Sequence, residues 1–213
     1  MKIDEPQKIY LAQIEGALER ITFSEEKLEV YSETGNKVEL DSAILQLRKA
    51  MESIAYAAIV PNRRAYEQFR KNAEKSRDYR NDYNARHITS LLENVNKDFY
   101  PMALLPAERK NNGNLFFDRK PNGFVSKKRF QKIYDRLGKF LHADNPWGKD
   151  KGFHNLTLEL PSFHKQLREL LSLYATFIIT PEFKGVWIIE IDTYSKKPHL
   201  IEAIADGEFF VNA

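Results

Sequence analysis

Cysteine is absent from the 213 residues. Without a thiol the chain has no disulfide, zinc–thiolate site, iron–sulfur cluster or cysteine nucleophile, and the absence fits a reducing compartment. Long apolar runs are missing too. The longest, Ile54 to Val60, falls far short of the roughly 20 residues that span a bilayer. Met1-Lys2-Ile3-Asp4-Glu5-Pro6 has no apolar segment like that of a signal peptide. The expectation is a cytoplasmic protein with no membrane partner. There is no phosphate loop, dinucleotide fingerprint or serine elbow, and no internal repeat or low-complexity tract. What remains is 42% hydrophobic and 30% charged, the composition of an ordinary folded domain.

The net charge of +3 hides an uneven distribution. Residues 1–60 hold 7 basic and 11 acidic groups, whereas residues 106–139 hold 10 basic and 3 acidic ones. Residues 61–86 are also basic, and residues 181–213 are acidic. A basic middle between acidic ends can draw a polyanion to one surface, or make self-complementary contacts in an oligomer.

Apolar spacing predicts a mainly α fold, a bundle of about five helices with a small antiparallel hairpin or sheet at the C-terminus. Helices are expected over 6–23, 42–59, 62–78, 84–96, 126–141 and from Pro161 to about 178, the last with Phe163, Leu167, Leu170, Leu171, Tyr174 and Phe177 as one apolar stripe. Residues 27–41, where Leu28 and Val30, then Val38 and Leu40, alternate around Thr34-Gly35-Asn36, favour a β-hairpin, with a helix as the alternative. Three prolines and Asn111-Asn112-Gly113-Asn114 make residues 98–123 a long loop or flap. Val186–Ile191 and Leu200–Ala205 flank Ser195-Lys196-Lys197-Pro198 as a second hairpin. The expected organisation is a helical domain over 1–180 and a β-hairpin appendage over 181–213.

The stretch Arg136-Leu-Gly-Lys-Phe-Leu-His142, followed by Ala143-Asp144-Asn145-Pro146, carries the chemistry. It puts a permanent cation and a group that titrates near neutrality at the expected end of a helix stopped by Pro146. Six positions apart on an ideal helix, they lie about 120° apart and about 9 Å along the axis. They meet only if His142 swings at the helix end, or across a second subunit. The bland reading is a terminal histidine on the last carbonyls and Arg136 on a solvated face.

Around it lie supporting candidates. Asp144 and Asn145 could orient the imidazole, although Asp144 also suits a turn. Arg48 and Glu52 form an i,i+4 ion pair that could reach the site from a neighbouring helix. Arg109, Lys110, Arg119, Lys120, Lys127, Lys128 and Arg129 are interleaved with Phe116 and Phe117. Such a run can neutralise phosphates and stack bases. His154 and His164 with Asp150 and Glu159 match no tight ligand spacing, so no metal and no cofactor is expected.

The Arg-x5-His element and the helical pattern resemble the HEPN superfamily, over roughly residues 42–178. The block Gln46-Leu47-Arg48-Lys49-Ala50-Met51-Glu52-Ser53-Ile54-Ala55 adds to the likeness. The resemblance implies a metal-independent endoribonuclease acting as a homodimer, with Arg136 and His142 meeting their counterparts across the interface. It implies a role as an antiviral-defence or toxin–antitoxin effector with an antitoxin partner. The alternative is a non-catalytic module of the same kind that binds RNA or a partner protein. One departure favours that alternative: active members often have a polar residue after the arginine, where this chain has Leu137.

Overall fold

A computed structural model describes residues 4–73, 78–109, 111, 113–143, 145, 147–148, 151–179 and 184–203. Two long antiparallel helices come first, α1 (Glu5–Thr34) and α2 (Lys37–Ile59). On α1 the buried residues are Gln7, Tyr10, Ile14, Ala17, Ile21 and Ser24, with Leu28 and Tyr31 half-buried beyond them. Steps of three and four residues keep one seam turned toward a neighbouring helix, as in a coiled coil. Leu40, Ile44, Leu47, Met51 and Ile54 are buried on α2.

The expected hairpin over 27–41 is therefore corrected to a helix–turn–helix. Gly35 takes the left-handed conformation (φ 68°), and its N–H donates to the Tyr31 carbonyl at 2.8 Å. Asn36 then caps α2, its side chain accepting from the Val38 N–H at 3.1 Å. A glycine that ends one helix and an asparagine that starts the next look like a β-turn when read locally. The heptad seam running through them decides otherwise.

A short 3-10 turn at Val60–Asn62, where Pro61 falls, leads into α3 (Arg63–Ala73). Helix α4 (Ala85–Val95) is capped by Asn84, whose side chain accepts from the His87 N–H. Helices α5 (Lys127–Lys139) and α6 (Phe153–Ser172) follow. The helix expected from Pro161 to about 178 is corrected at both ends: Pro161 lies inside α6 and does not open it, and residues 173–179 leave the helix to pair as a strand. The helix begins eight residues earlier, and the proline removes only the bond that the Thr157 carbonyl would have accepted. Helix α5 packs on α2 and α4, and α6 packs on α1 and the sheet.

Residues 98–123 are not wholly loop. Strand β1 (Met102–Ala103) joins a four-stranded antiparallel sheet with β4 (Leu173–Ile179), β5 (Lys184–Ile191) and β6 (Pro198–Ala203), in the order β1-β4-β5-β6. Between β1 and α5, β2 (Glu108–Arg109) and β3 (Leu115–Phe116) pair as a small separate arm. The expected C-terminal hairpin is the β5–β6 pair, with Ile188 opposite Ile201; Ile204 and Ala205 lie outside the described residues. The expected boundary at 180/181 falls between β4 and β5, two paired strands of one sheet. Trp187 and Ile189 share the core of the helices. Trp187 meets Tyr10 of α1 edge-on at 5.5 Å, and the Tyr10 hydroxyl donates to that of Tyr174 at 3.1 Å. The fold is mainly α with an antiparallel sheet built from its C-terminal strands and β1, and no helix among the described residues is long and apolar enough to cross a membrane.

Candidate functional site

Helix α5 carries both ends of the candidate site. Ser126 starts it, its hydroxyl accepting from the Arg129 N–H at 3.4 Å. Phe130, Ile133, Tyr134 and Leu137 face the core. The helix ends at Lys139, with Phe140 as its cap, well before Pro146. His142 is thus beyond the helix, exposed in a bend, and its backbone carbonyl accepts from Lys151 Nζ at 2.6 Å. The expectation of a helix reaching His142 is corrected: Phe140 turns back into the core and packs edge-on against Phe153 at 4.9 Å.

Arg136 stays on α5, in its last turn. Its guanidinium pairs with Glu159 of α6: Nη2 donates to Oε1 at 3.0 Å, and Nε lies 2.9 Å from Oε2 without a hydrogen bond. The charge by which Arg136 would hold a phosphate is thus answered by a carboxylate of the same chain. No hydrogen bond joins Arg136 to His142 among the described residues. Asn145 makes a turn, accepting from the Trp147 N–H at its side chain and the Gly148 N–H at its carbonyl. Asp144 lies outside the described residues.

Arg48 and Glu52 reach α5, but on another face from Arg136. The Arg48 guanidinium lies 3.6 Å from the centre of the Tyr134 ring and donates to the Tyr134 carbonyl at 2.7 Å. The Tyr134 hydroxyl donates to Glu52 at 2.8 Å. Burial, and then Glu52, pushes the Tyr134 phenol up, so it is a neutral donor. Arg48 and Glu52 lie 3.6 Å apart. A Cβ on Gly138 would lie 2.6 Å from Arg48 Nη1, so only glycine lets the arginine lie flat there. Tyr134 and Gly138 share one side of α5, and Arg136 lies about 200° around from both. The four residues form a strut between α2 and α5. Sequence spacing shows the Arg48–Glu52 pair but gives no sign of Tyr134 or Gly138.

The basic residues divide into neutralised and exposed ones. Lys120 pairs with Glu169 of α6. Lys127 pairs with Glu93 of α4 at 2.6 Å and lies 5.8 Å from the centre of the Phe99 ring. Arg109, Arg119, Lys128 and Arg129 are exposed, with no ion pair among the described residues; Lys110 lies outside them. Phe116 is 46% exposed on β3, and its neighbour Leu115 is 53% exposed. Phe117 turns inward against Leu104, Ala175 and Val186. The segment that joins the arm to α5 lies against α6: Lys120 meets Glu169, and the Val125 N–H donates to the Gln166 carbonyl.

One polar cluster was not expected. His164 of α6 is buried, with Nε2 2.8 Å from the Ser24 hydroxyl. That hydroxyl donates its single proton to the Ala43 carbonyl at 2.7 Å. The imidazole is therefore the donor to Ser24, which puts a proton on Nε2. Burial pulls its pKa down to about 4. The cluster ties α1, α2 and α6 together. Its only signal in the sequence is a serine at a seam position and a histidine beside Phe163. No group of three or more potential ligands for a metal exists among the described residues.

Comparison of the chain with protein-family models, with curated proteins and with solved structures gives no match.

Proposed function

We propose that this protein is a non-catalytic RNA-binding module whose contact surface is the start of α5 together with the β2–β3 arm. One observation carries this reading. Helix α5 opens with Lys127-Lys128-Arg129 and has no acidic residue in its first turn. The N-terminus of a helix already bears positive partial charge, so cations there destabilise the helix. Glu93 offsets Lys127 only. A polyanion would relieve what is left, and phosphate oxygens suit both the cations and the N–H groups of the first turn. The exposed Phe116 supplies a ring on which an unpaired base can stack.

Fluorescence anisotropy with a single-stranded RNA tests this. Lys128→Ala with Arg129→Ala should weaken binding about tenfold and lower the slope of log affinity against log salt by about 1.4, two phosphate contacts on a single strand. Phe116→Ala should weaken binding with little change in that slope. An unchanged affinity in both variants would remove the surface from consideration.

The dimeric endoribonuclease reading, with its defence or toxin–antitoxin role, has one observation in its favour: His142 is exposed at the end of α5, open to a substrate. It requires Arg136 to leave Glu159 for a phosphate. Incubation with RNA in EDTA tests it. Cleavage leaving 2′,3′-cyclic phosphate ends, abolished by His142→Ala, would establish this reading over the binding module.

A further inference from the structure

The β2–β3 arm and the β5–β6 turn leave the sheet at the same end. Strands β1 and β5 flank β4 and both run antiparallel to it, so they are parallel to each other. Ala103 is opposite Tyr174, and the Leu104 N–H donates to the Leu173 carbonyl. Leu173 is in turn opposite Glu190. Beyond that level β1 leads to the arm, and β5 leads through Ile191 to the turn 192–197. Two strand spacings, about 10 Å, separate the points of departure. The turn is built by its backbone and Asp192. The Asp192 carboxylate accepts from the Tyr194 and Ser195 N–H groups at 3.1 and 2.6 Å, and the Lys196 N–H donates to the Asp192 carbonyl at 3.0 Å. The Tyr194 ring takes no part in these bonds and is 95% exposed. Lys196 holds the left-handed conformation (φ 58°), which favours glycine or asparagine. It is exposed and has no ion pair among the described residues, whereas Lys197 lies 3.7 Å from Glu15.

We propose that the β5–β6 turn is a further contact for single-stranded RNA, with Tyr194 as a base-stacking platform and Lys196 as a phosphate contact. The strand runs across this end of the sheet, from Phe116 on the arm to the turn. The inference rests on the RNA reading above and extends it to a part of the chain outside the arm and α5. The turn is complete without the Tyr194 ring, so the ring is open to a base, and an unpaired base of any kind stacks on an aromatic face. A cation stands two residues on, in a backbone conformation that lysine rarely adopts, and such outliers gather at functional positions. The Asp192 carboxylate beside them is taken up by the turn's own N–H groups. Bases inside a duplex have no free face, so two rings at one end of a sheet fit an unpaired strand and not a helix of RNA. Stacking and charge alone give little sequence preference.

Anisotropy with a single strand of about twelve nucleotides, within the span of known stacking sites, tests it. Tyr194→Ala should weaken binding about tenfold and leave the salt slope unchanged. The residue's exposure lets the fold, checked by circular dichroism, survive the change. Tyr194→Phe should bind like the wild type, because the ring and not the hydroxyl is used. Lys196→Asn suits the left-handed backbone, so it should not lower the melting temperature. It should lower the slope of log affinity against log salt by about 0.7, one phosphate contact on a single strand. Photo-crosslinking with a strand that carries iodouracil should label the peptide that holds Tyr194. Suppose Phe116→Ala and the Lys128, Arg129 double variant weaken binding while Tyr194→Ala and Lys196→Asn match the wild type and the turn takes no crosslink. That result would overturn this inference, leave the RNA reading standing and turn attention to an acidic protein segment as the partner of the turn. A wild type that binds no RNA would overturn both.

Discussion

The two ends of α5 hold the chain's two functional expectations, and they differ in what answers their charge. At the C-terminal end Arg136 is gripped by Glu159, and a cation there also suits the helix dipole. At the N-terminal end Lys128 and Arg129 lie against the dipole and have no ion pair among the described residues. One end is electrostatically content and looks like structure. The other is left with a charge that a ligand would answer. A functional motif is thus better judged by what remains unsatisfied around it than by the residue types it contains.

Leu137 offers the largest test of that contrast. It is fully buried beside Arg136, at the position where the resembling nucleases often place a polar residue. Leu137→Asn should destabilise the protein by about 3–5 kcal/mol, through the lost apolar volume and a buried amide without partners. Urea denaturation measures it. A variant of wild-type stability would mean that this end of α5 is a site that has drifted and not a piece of core.

The buried histidine gives the next largest effect and sharpens the same distinction, because a structural histidine reports on folding. The His164 pKa falls from the ordinary 6.5 to about 4 in the folded protein. The unfolded chain therefore binds the proton first. The resulting stability is fully present above pH 6.5 and is lost as pH falls toward 4, amounting to about 3 kcal/mol across that window. Urea midpoints at pH 7, 6 and 5 should decline in the wild type and flatten in His164→Gln. Parallel curves for the two proteins would show that the imidazole is not held neutral.

Much of the helical core was legible from spacing. Met51, Ile54, Ile133, Leu137, Leu167 and Leu171 were readable as inward residues and are buried. The hairpin expected over 27–41 is a helix pair because the alternation there spans only a few residues, too short to outweigh the helical seam. Ser24 at a seam position hid the longer 3.5-residue repeat that continues to Tyr31. The site was less legible for a different reason. Sequence shows Arg136 and His142 as neighbours, but Glu159, which engages the arginine, comes from another helix 23 residues on. Likewise nothing in the run from Ile133 to Gly138 announces that Arg48 lies across it. Long-range polar partners have no periodicity, and only the packed structure names them.

Gly138 tests the strut that holds this end of α5. Alanine in a helix interior normally gains about 1 kcal/mol over glycine. Here its Cβ would displace the Arg48 guanidinium, which costs a charged hydrogen bond to the Tyr134 carbonyl worth about 1.5–3 kcal/mol. The second term wins, so Gly138→Ala should destabilise by about 1 kcal/mol. In an Arg48→Ala background the same change should stabilise. A double-mutant cycle in denaturant measures the reversal.

The smallest effect bears most directly on function, because it separates the two ends by sign. Lys128→Glu and Arg129→Glu replace cations at the positive end of α5 with carboxylates, and each should stabilise the protein by about 0.3–1 kcal/mol. The same changes should abolish RNA binding through the start of the helix. Arg136→Glu, at the other end, should do the reverse. It sets a carboxylate against Glu159 and the negative end of the dipole, so it should destabilise the protein while leaving RNA binding nearly unchanged. Thermal melts at low salt and anisotropy titrations on the same three variants give both readouts. If the two N-terminal variants lose stability as well as binding, those cations are holding the helix and not waiting for a ligand.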